Sequence, residues 1–211
     1  MDASEAGRRL AERHRVLDPP DGVDEARSLL NYAEAPHTGD WTLRSALVRL
    51  AQADPARVGS LLRAMRRLDA PLHHVARSLQ RRPAGSRQPG PGASHIDVMA
   101  EPGGDTAQTV ADVRIADVAR AVAAGFDERS VVDGYAGVAP LDQEERRAVP
   151  LLVLAVEFDG LARELAAWAD AGAVDPPLAR VEAVTAHVWR RLDELGVPEE
   201  TMPQRGQRSR G

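Results

Sequence analysis

The sequence has no cysteine, no lysine and a single asparagine, Asn31, and aromatic residues fill only 3% of its 211 positions. Each shortage removes a class of chemistry. Without cysteine there is no disulfide, no thiol nucleophile and no zinc–thiolate site. Without lysine there is no Schiff base, and so no attachment point for pyridoxal phosphate. A Walker-A loop and the phosphate-pairing lysine of protein-kinase-like enzymes are excluded on the same ground. All 27 basic residues are arginine, which stays charged and cannot act as a general base at neutral pH. With few aromatics, the core must be built from Leu, Val and Ala, which suits closely packed helices. Long apolar runs are missing too. A membrane span needs roughly 18 apolar residues, and the longest candidate, near Leu151, is interrupted by Glu157 and Asp159. The charged start lacks the apolar stretch of a secretory signal. A cytoplasmic protein without membrane contact is the expectation.

What is present is helical periodicity. Over residues 1–82 the pattern predicts four or five helices. Val58, Leu61, Leu62, Met65 and Leu68 share one helical face. Asp54-Pro55 supplies an N-cap and a first-turn proline for that helix. Before it, Leu43, Ala46, Leu47 and Leu50 form a face capped by Asp40, and after it Leu72, Val75 and Leu79 mark a short helix from about Pro71. Residues 83–109 hold Pro83, Gly85, Pro89, Gly90, Pro91, Gly92, Pro102, Gly103 and Gly104, which reads as a linker or surface loop. Helicity resumes over 110–198. Asp142 with Glu145 three residues on forms a capping-box pattern. Leu151, Leu154, Ala155, Phe158, Leu161, Ala162, Leu165 and Trp168 then make the most regular stripe, with Pro150 either at a kink or in the first turn. A last helix carries Leu178, Val181, Thr185, Val188, Leu192 and Leu195 on one face, antiparallel to the previous one and stopped by Gly196 and Pro198. Residues 199–211 read as a disordered tail. The expected fold is all-α, a multi-helix bundle of two packed parts, 1–82 and 110–198, with no sheet beyond a short hairpin.

Charge is divided unevenly. Residues 1–82 carry 14 Arg against 11 acids, and the remainder 13 Arg against 21. The basic excess concentrates at Arg57, Arg63, Arg66, Arg67, Arg77, Arg81 and Arg82, opposed locally only by Asp54 and Asp69. These arginines are candidates for binding nucleic acid or another anionic partner, since phosphate contacts dominate such binding. Against nucleic acid stand the acidic balance of the chain and the lack of an aromatic residue within the cluster to stack on bases. The plain alternative is that they solvate a helix face or pair with the acidic C-terminal half. His73 and His74 are adjacent, so on a helix they diverge and cannot chelate one metal together. His187, beside Trp189, reads as a packing-boundary residue. No metal site or cofactor is expected.

One resemblance lies in the C-terminal half. Asp117-Val118-Ala119-Arg120-Ala121-Val122, then Asp133-Gly134-Tyr135, then Pro140-Leu141-Asp142-Gln143-Glu144-Glu145-Arg146 and the Leu-rich helix resemble the C-terminal helical subdomain of the aminoglycoside phosphotransferase-like (choline-kinase-like) family, over about residues 110–172. The resemblance implies an H-G-D-x-x-x-x-N catalytic loop upstream and a later metal-binding Asp. His95-Ile96-Asp97 is the nearest text to the loop, without a downstream Asn, and Asp112 falls near the later Asp. His95, Asp97 and Asp112 are therefore the degenerate catalytic candidates. Phosphoryl transfer works by positioning and charge neutralisation, and both the lysine and the asparagine are missing. The expectation is a non-catalytic, partner-binding or scaffolding protein, a kinase-like C-lobe remnant, with an unknown protein as partner. The alternatives are a divergent phosphotransferase and a nucleic-acid-associated helical protein.

Overall fold

The computed structural model describes residues 1–16, 52, 55–80, 89–90, 112–171 and 176–197. The helix capped by Asp40, nearly all of the Pro/Gly-rich segment, and the tail lie outside the described residues. So do the candidates His95, Asp97, Arg81 and Arg82 and the cap Asp54.

The fold is all-α. Seven α-helices are described: α1 (Ala3–Val16), α2 (Pro55–Met65), α3 (Asp69–Gln80), α4 (Ile115–Ala123), α5 (Glu128–Ala136), α6 (Gln143–Asp170) and α7 (Leu178–Glu194). A single 3-10 turn, Arg66–Leu68, links α2 to α3. Among the described residues the sheet content is one antiparallel pair of two-residue strands, with Pro89 opposite Val113 and Gly90 opposite Asp112. The chain divides into two compact units, one of residues 1–36 and 78–156, the other of 37–77 and 157–211. This division differs from a split at 83–109. The first unit combines the N-terminal helix with the middle of the chain, and α6 contributes to both units, one stretch to each.

In the first unit, α1 packs on α4 and α5. Ala6, Gly7, Leu10 and Ala11 form its buried stripe. A Cβ on Gly7 would lie 2.1 Å from the Val131 carbonyl oxygen, and one on Gly134 would lie 2.1 Å from that of Ser4. Backbone therefore meets backbone at this crossing, where only a hydrogen side chain fits. Asp127 caps α5, its Oδ1 accepting from the Ser130 amide at 2.9 Å. The two hydrogen bonds from Ser130 hold its carboxyl below the usual range. The predicted box at the start of α6 is present. The Glu145 amide donates to Asp142 Oδ1 at 2.7 Å, and the Asp142 amide donates to Glu145 Oε2 at 2.9 Å. Pro150 lies inside α6, beyond its first turn. Leu151, Leu152, Val153, Leu154 and Ala155 are all buried, so this part of α6 is enclosed around its whole circumference and not along one stripe.

In the second unit, Leu61, Met65, Leu68, Leu72 and Val75 are buried on the expected faces. Phe158, Leu161, Ala162 and Leu165 of α6 are fully buried, as are Val181, Val188 and Leu192 of α7. Two polar contacts fix these helices as antiparallel. Arg180 pairs with Glu164, and His187 Nε2 faces Glu157 at 4.0 Å, so seven residues forward on α7 correspond to seven back on α6. Trp168, at the end of the same stripe, is only half-buried. Leu195 is exposed as well, because it sits at the C-cap of α7 beyond the packed face. Thr185 is buried and its hydroxyl donates to the Val181 carbonyl at 2.7 Å, which lets a polar residue share the apolar stripe. Gly196 ends α7 with a φ of 69°. Its amide reaches the Asp193 carbonyl and that of Val197 reaches Leu192, the two bonds of a left-handed helix stop.

Candidate anion-binding face

The described members of the basic cluster, Arg57, Arg63, Arg66, Arg67 and Arg77, fall within α2, the 3-10 turn and α3, in the residue range of the second unit. Because Leu61, Met65 and Leu68 turn inward, the arginines interleaved with them turn out. Arg63, Arg66, Arg67 and Arg77 are exposed, and among the described residues they make no ion pair. The side chain of Arg57 lies outside the described residues.

The other described arginines behave differently. Arg8 and Arg9 pair with Glu5, Arg163 with Asp159, Arg180 with Glu164, and Arg147 with Glu144. Arg146 and Arg129 face Asp133, and Arg190 and Arg191 face Glu194. Arg15 is the one further described arginine outside such pairing. Arg63, Arg66 and Arg67 are thus set apart by position, not by any general looseness of surface arginine.

Two clefts meet at Arg67. The first, about 370 Å³, lies between α2 and α7 and is lined by Ser60, Arg63, Arg67, Leu178 and Glu182 among others. The second, about 440 Å³, is lined by Arg67, Trp189, Arg190, Asp193 and Val197. The Trp189 indole N–H donates to the Arg67 carbonyl oxygen at 3.2 Å. An aromatic ring therefore stands beside the arginines after all, supplied by a helix more than a hundred residues further along the chain. Its nearest sequence neighbours gave no sign of this.

Three described histidines lie on α3 and α7. His73 Nδ1 donates to the Asp69 carbonyl at 2.8 Å, within its own helix. Burial lowers the pKa of His74. His187 Nδ1 accepts from Arg190 Nη2 at 3.0 Å, which leaves the ring proton on Nε2, a buried atom without a hydrogen-bond partner. Among the described residues no group of three His, Asp or Glu side chains could hold a metal ion. None of their helices is long and apolar enough to cross a membrane.

Asp112 forms the second of the two short strands and pairs with Gly90. The neighbouring chemistry in the first unit brings together residues that sequence reasoning did not connect. His14 at the end of α1 stands between α4 and α5, with Nε2 3.0 Å from Asp117 Oδ2 and Nδ1 2.7 Å from the Tyr135 hydroxyl. The carboxylate only accepts, so Nε2 carries a proton toward Asp117, while Nδ1 shares a hydrogen bond with the tyrosine hydroxyl. Arg120 closes the set on Asp117 Oδ1 at 2.7 Å. Burial pushes the Tyr135 hydroxyl pKa well up, so it stays a neutral donor. Tyr135 has no exposed surface and the His14 and Asp117 side chains almost none, so the three groups are enclosed together. Beside them, Glu145 accepts from Arg114 Nε and Nη2, both at 2.5 Å, and that contact raises the arginine pKa. His14 was not singled out in the sequence, where it is flanked by Arg13 and Arg15. Glu145 was marked in advance through its capping box, and Asp117, Arg120 and Tyr135 only as text of the resemblance, with no contact foreseen between them.

No family model matches the chain, and no curated protein or solved structure matches it.

Proposed function

We propose that the chain is a non-catalytic helical binding protein that takes an anionic partner on the α2–α7 face of its second unit. The carrying observation is that Arg63, Arg66 and Arg67 have no acidic partner among the described residues. Acids are not scarce, since Asp and Glu number 32 against 27 arginines. Nearly every other described arginine has found one. Arginine and tryptophan are also the residue types that carry most of the energy at interfaces, and here they flank two clefts that share Arg67. The non-catalytic part rests on composition. A chain without lysine, and with no asparagine after Asn31, lacks two groups that phosphoryl transfer of the resembled type uses.

Fluorescence anisotropy with a labelled peptide of Glu and Leu tests the face. Binding should weaken as salt is raised, because exposed charges are screened. Replacing Arg63, Arg66 and Arg67 together with Ala should weaken it about tenfold, from roughly 0.5 kcal/mol per exposed contact. Affinity insensitive to both salt and the triple substitution would remove this face as the binding site.

A further inference from the structure

We propose that Glu182 and Asp193 are specificity determinants of this face, fitting it to an acidic protein segment that also presents donors or cations and setting it against a polyphosphate chain. The inference rests on the anion-binding reading above and concerns which anion is admitted. Both carboxylates come from α7. Glu182 lines the cleft that holds Arg63 and Arg67, and Asp193 lines the one that holds Arg67 and Arg190. Both are exposed, and neither forms an ion pair among the described residues, although guanidinium groups line the same clefts. Each cleft therefore presents unneutralised charge of both signs.

Every backbone unit of a nucleic-acid strand carries a phosphate, so its charge is of one sign along its whole length. Such a strand cannot run through both clefts without setting phosphates against Glu182 and Asp193. A polypeptide can alternate. Its carboxylates meet Arg63 and Arg67 in the clefts, with Arg66 exposed beside them, while a Lys, Arg or hydroxyl side chain meets Glu182 or Asp193. Trp189 suits the same occupant. Its N–H is already given to the Arg67 carbonyl, so it offers the ligand carbon surface, as do Leu178 and Val197 in the two clefts. An apolar side chain among the charges of the partner segment would cover that surface. Discrimination by a built-in repulsive element is a common route to specificity.

The test uses the full chain with two labelled probes of equal length, a net-acidic peptide alternating Glu, Leu and Lys, and an oligothymidylate. The wild type should bind the peptide about tenfold more tightly. The double variant Glu182→Gln/Asp193→Asn should gain about fivefold for oligothymidylate, from roughly 0.5 kcal/mol per relieved contact, and no affinity for the peptide. Melting temperatures matching wild type would show that the fold is intact. A wild type that prefers oligothymidylate, or a double variant with an unchanged probe ratio, overturns the specificity role. If that oligothymidylate binding is lost in the Arg63/Arg66/Arg67 triple variant, the anionic face stands while the specificity role falls. If neither probe binds in a salt-sensitive way, both fall together.

Discussion

The two units handle charge in opposite ways. In the first, polar side chains are drawn inward and closed on one another. Glu145 is satisfied by Arg114 and by the Asp142 amide, and Asp117 by His14 and Arg120. In the second, the interior is almost wholly aliphatic, while Arg63, Arg66 and Arg67 stay open at the surface. A closed polar network fixes the geometry of its own unit, because each member removed leaves another buried and unpaired. An open arginine contributes little to its own fold and keeps its interaction capacity for something else. The closed polar network and the open arginines thus lie in different parts of the chain.

The largest expected effect tests the closed network. Glu145→Ala leaves Arg114 without its buried partner and removes half the capping box of α6, and chemical denaturation should show a loss of about 3–5 kcal/mol. A loss below about 1 kcal/mol, the range of a surface pair, would mean that the network is not closed in the sense described. Next comes the backbone crossing. Gly134→Ala puts a methyl group against the Ser4 carbonyl and should cost about 1–3 kcal/mol, the usual range for overpacking, with α1 becoming susceptible to proteolysis. An unchanged melting temperature would show that α1 and α5 separate more easily than their spacing suggests.

A smaller effect distinguishes the units by pH. Burial holds the folded-state pKa of His74 below its ordinary 6.5. Its neutral form is therefore favoured by folding. That contribution is present above the unfolded value and is lost as pH falls through the lower folded one. Thermal melts across that acid window should show a decline that His74→Gln reduces. An identical decline in the variant would assign it elsewhere. The smallest effect is expected at the open face. Replacing Arg63, Arg66 and Arg67 singly with Ala should shift stability by no more than about 0.5 kcal/mol each, as for ordinary surface sites. A loss of about 2 kcal/mol from any one would make that arginine part of the fold and erase the contrast.

Much of the helical architecture was readable in the residues. The inward positions Leu61, Met65, Leu68, Leu72, Val75 and Leu79 follow from helical spacing alone, and they are buried. So do the box at Asp142 and Glu145 and the stop at Gly196, because capping groups act within a few residues of the helix end they satisfy. Spacing was less informative for α6. Complete burial over Leu151–Ala155 depends on what surrounds a helix, and a stripe cannot report that.

The sequence by itself determined the helical class, the faces of most helices, and the exclusion of thiol and amine chemistry, since these depend on residue type and on contacts within a few residues. Only the tertiary structure decided the rest. It joined His14 to Asp117 and Tyr135 across more than a hundred residues of chain, and it set Trp189 beside Arg67 over a similar separation. It also decided which arginines would find an acid and which would not. Pairing at such distances follows from how helices pack, and each residue involved looks ordinary among its own neighbours. Chemistry confined to one helix can be read from spacing, whereas chemistry shared between helices exists only once they have packed.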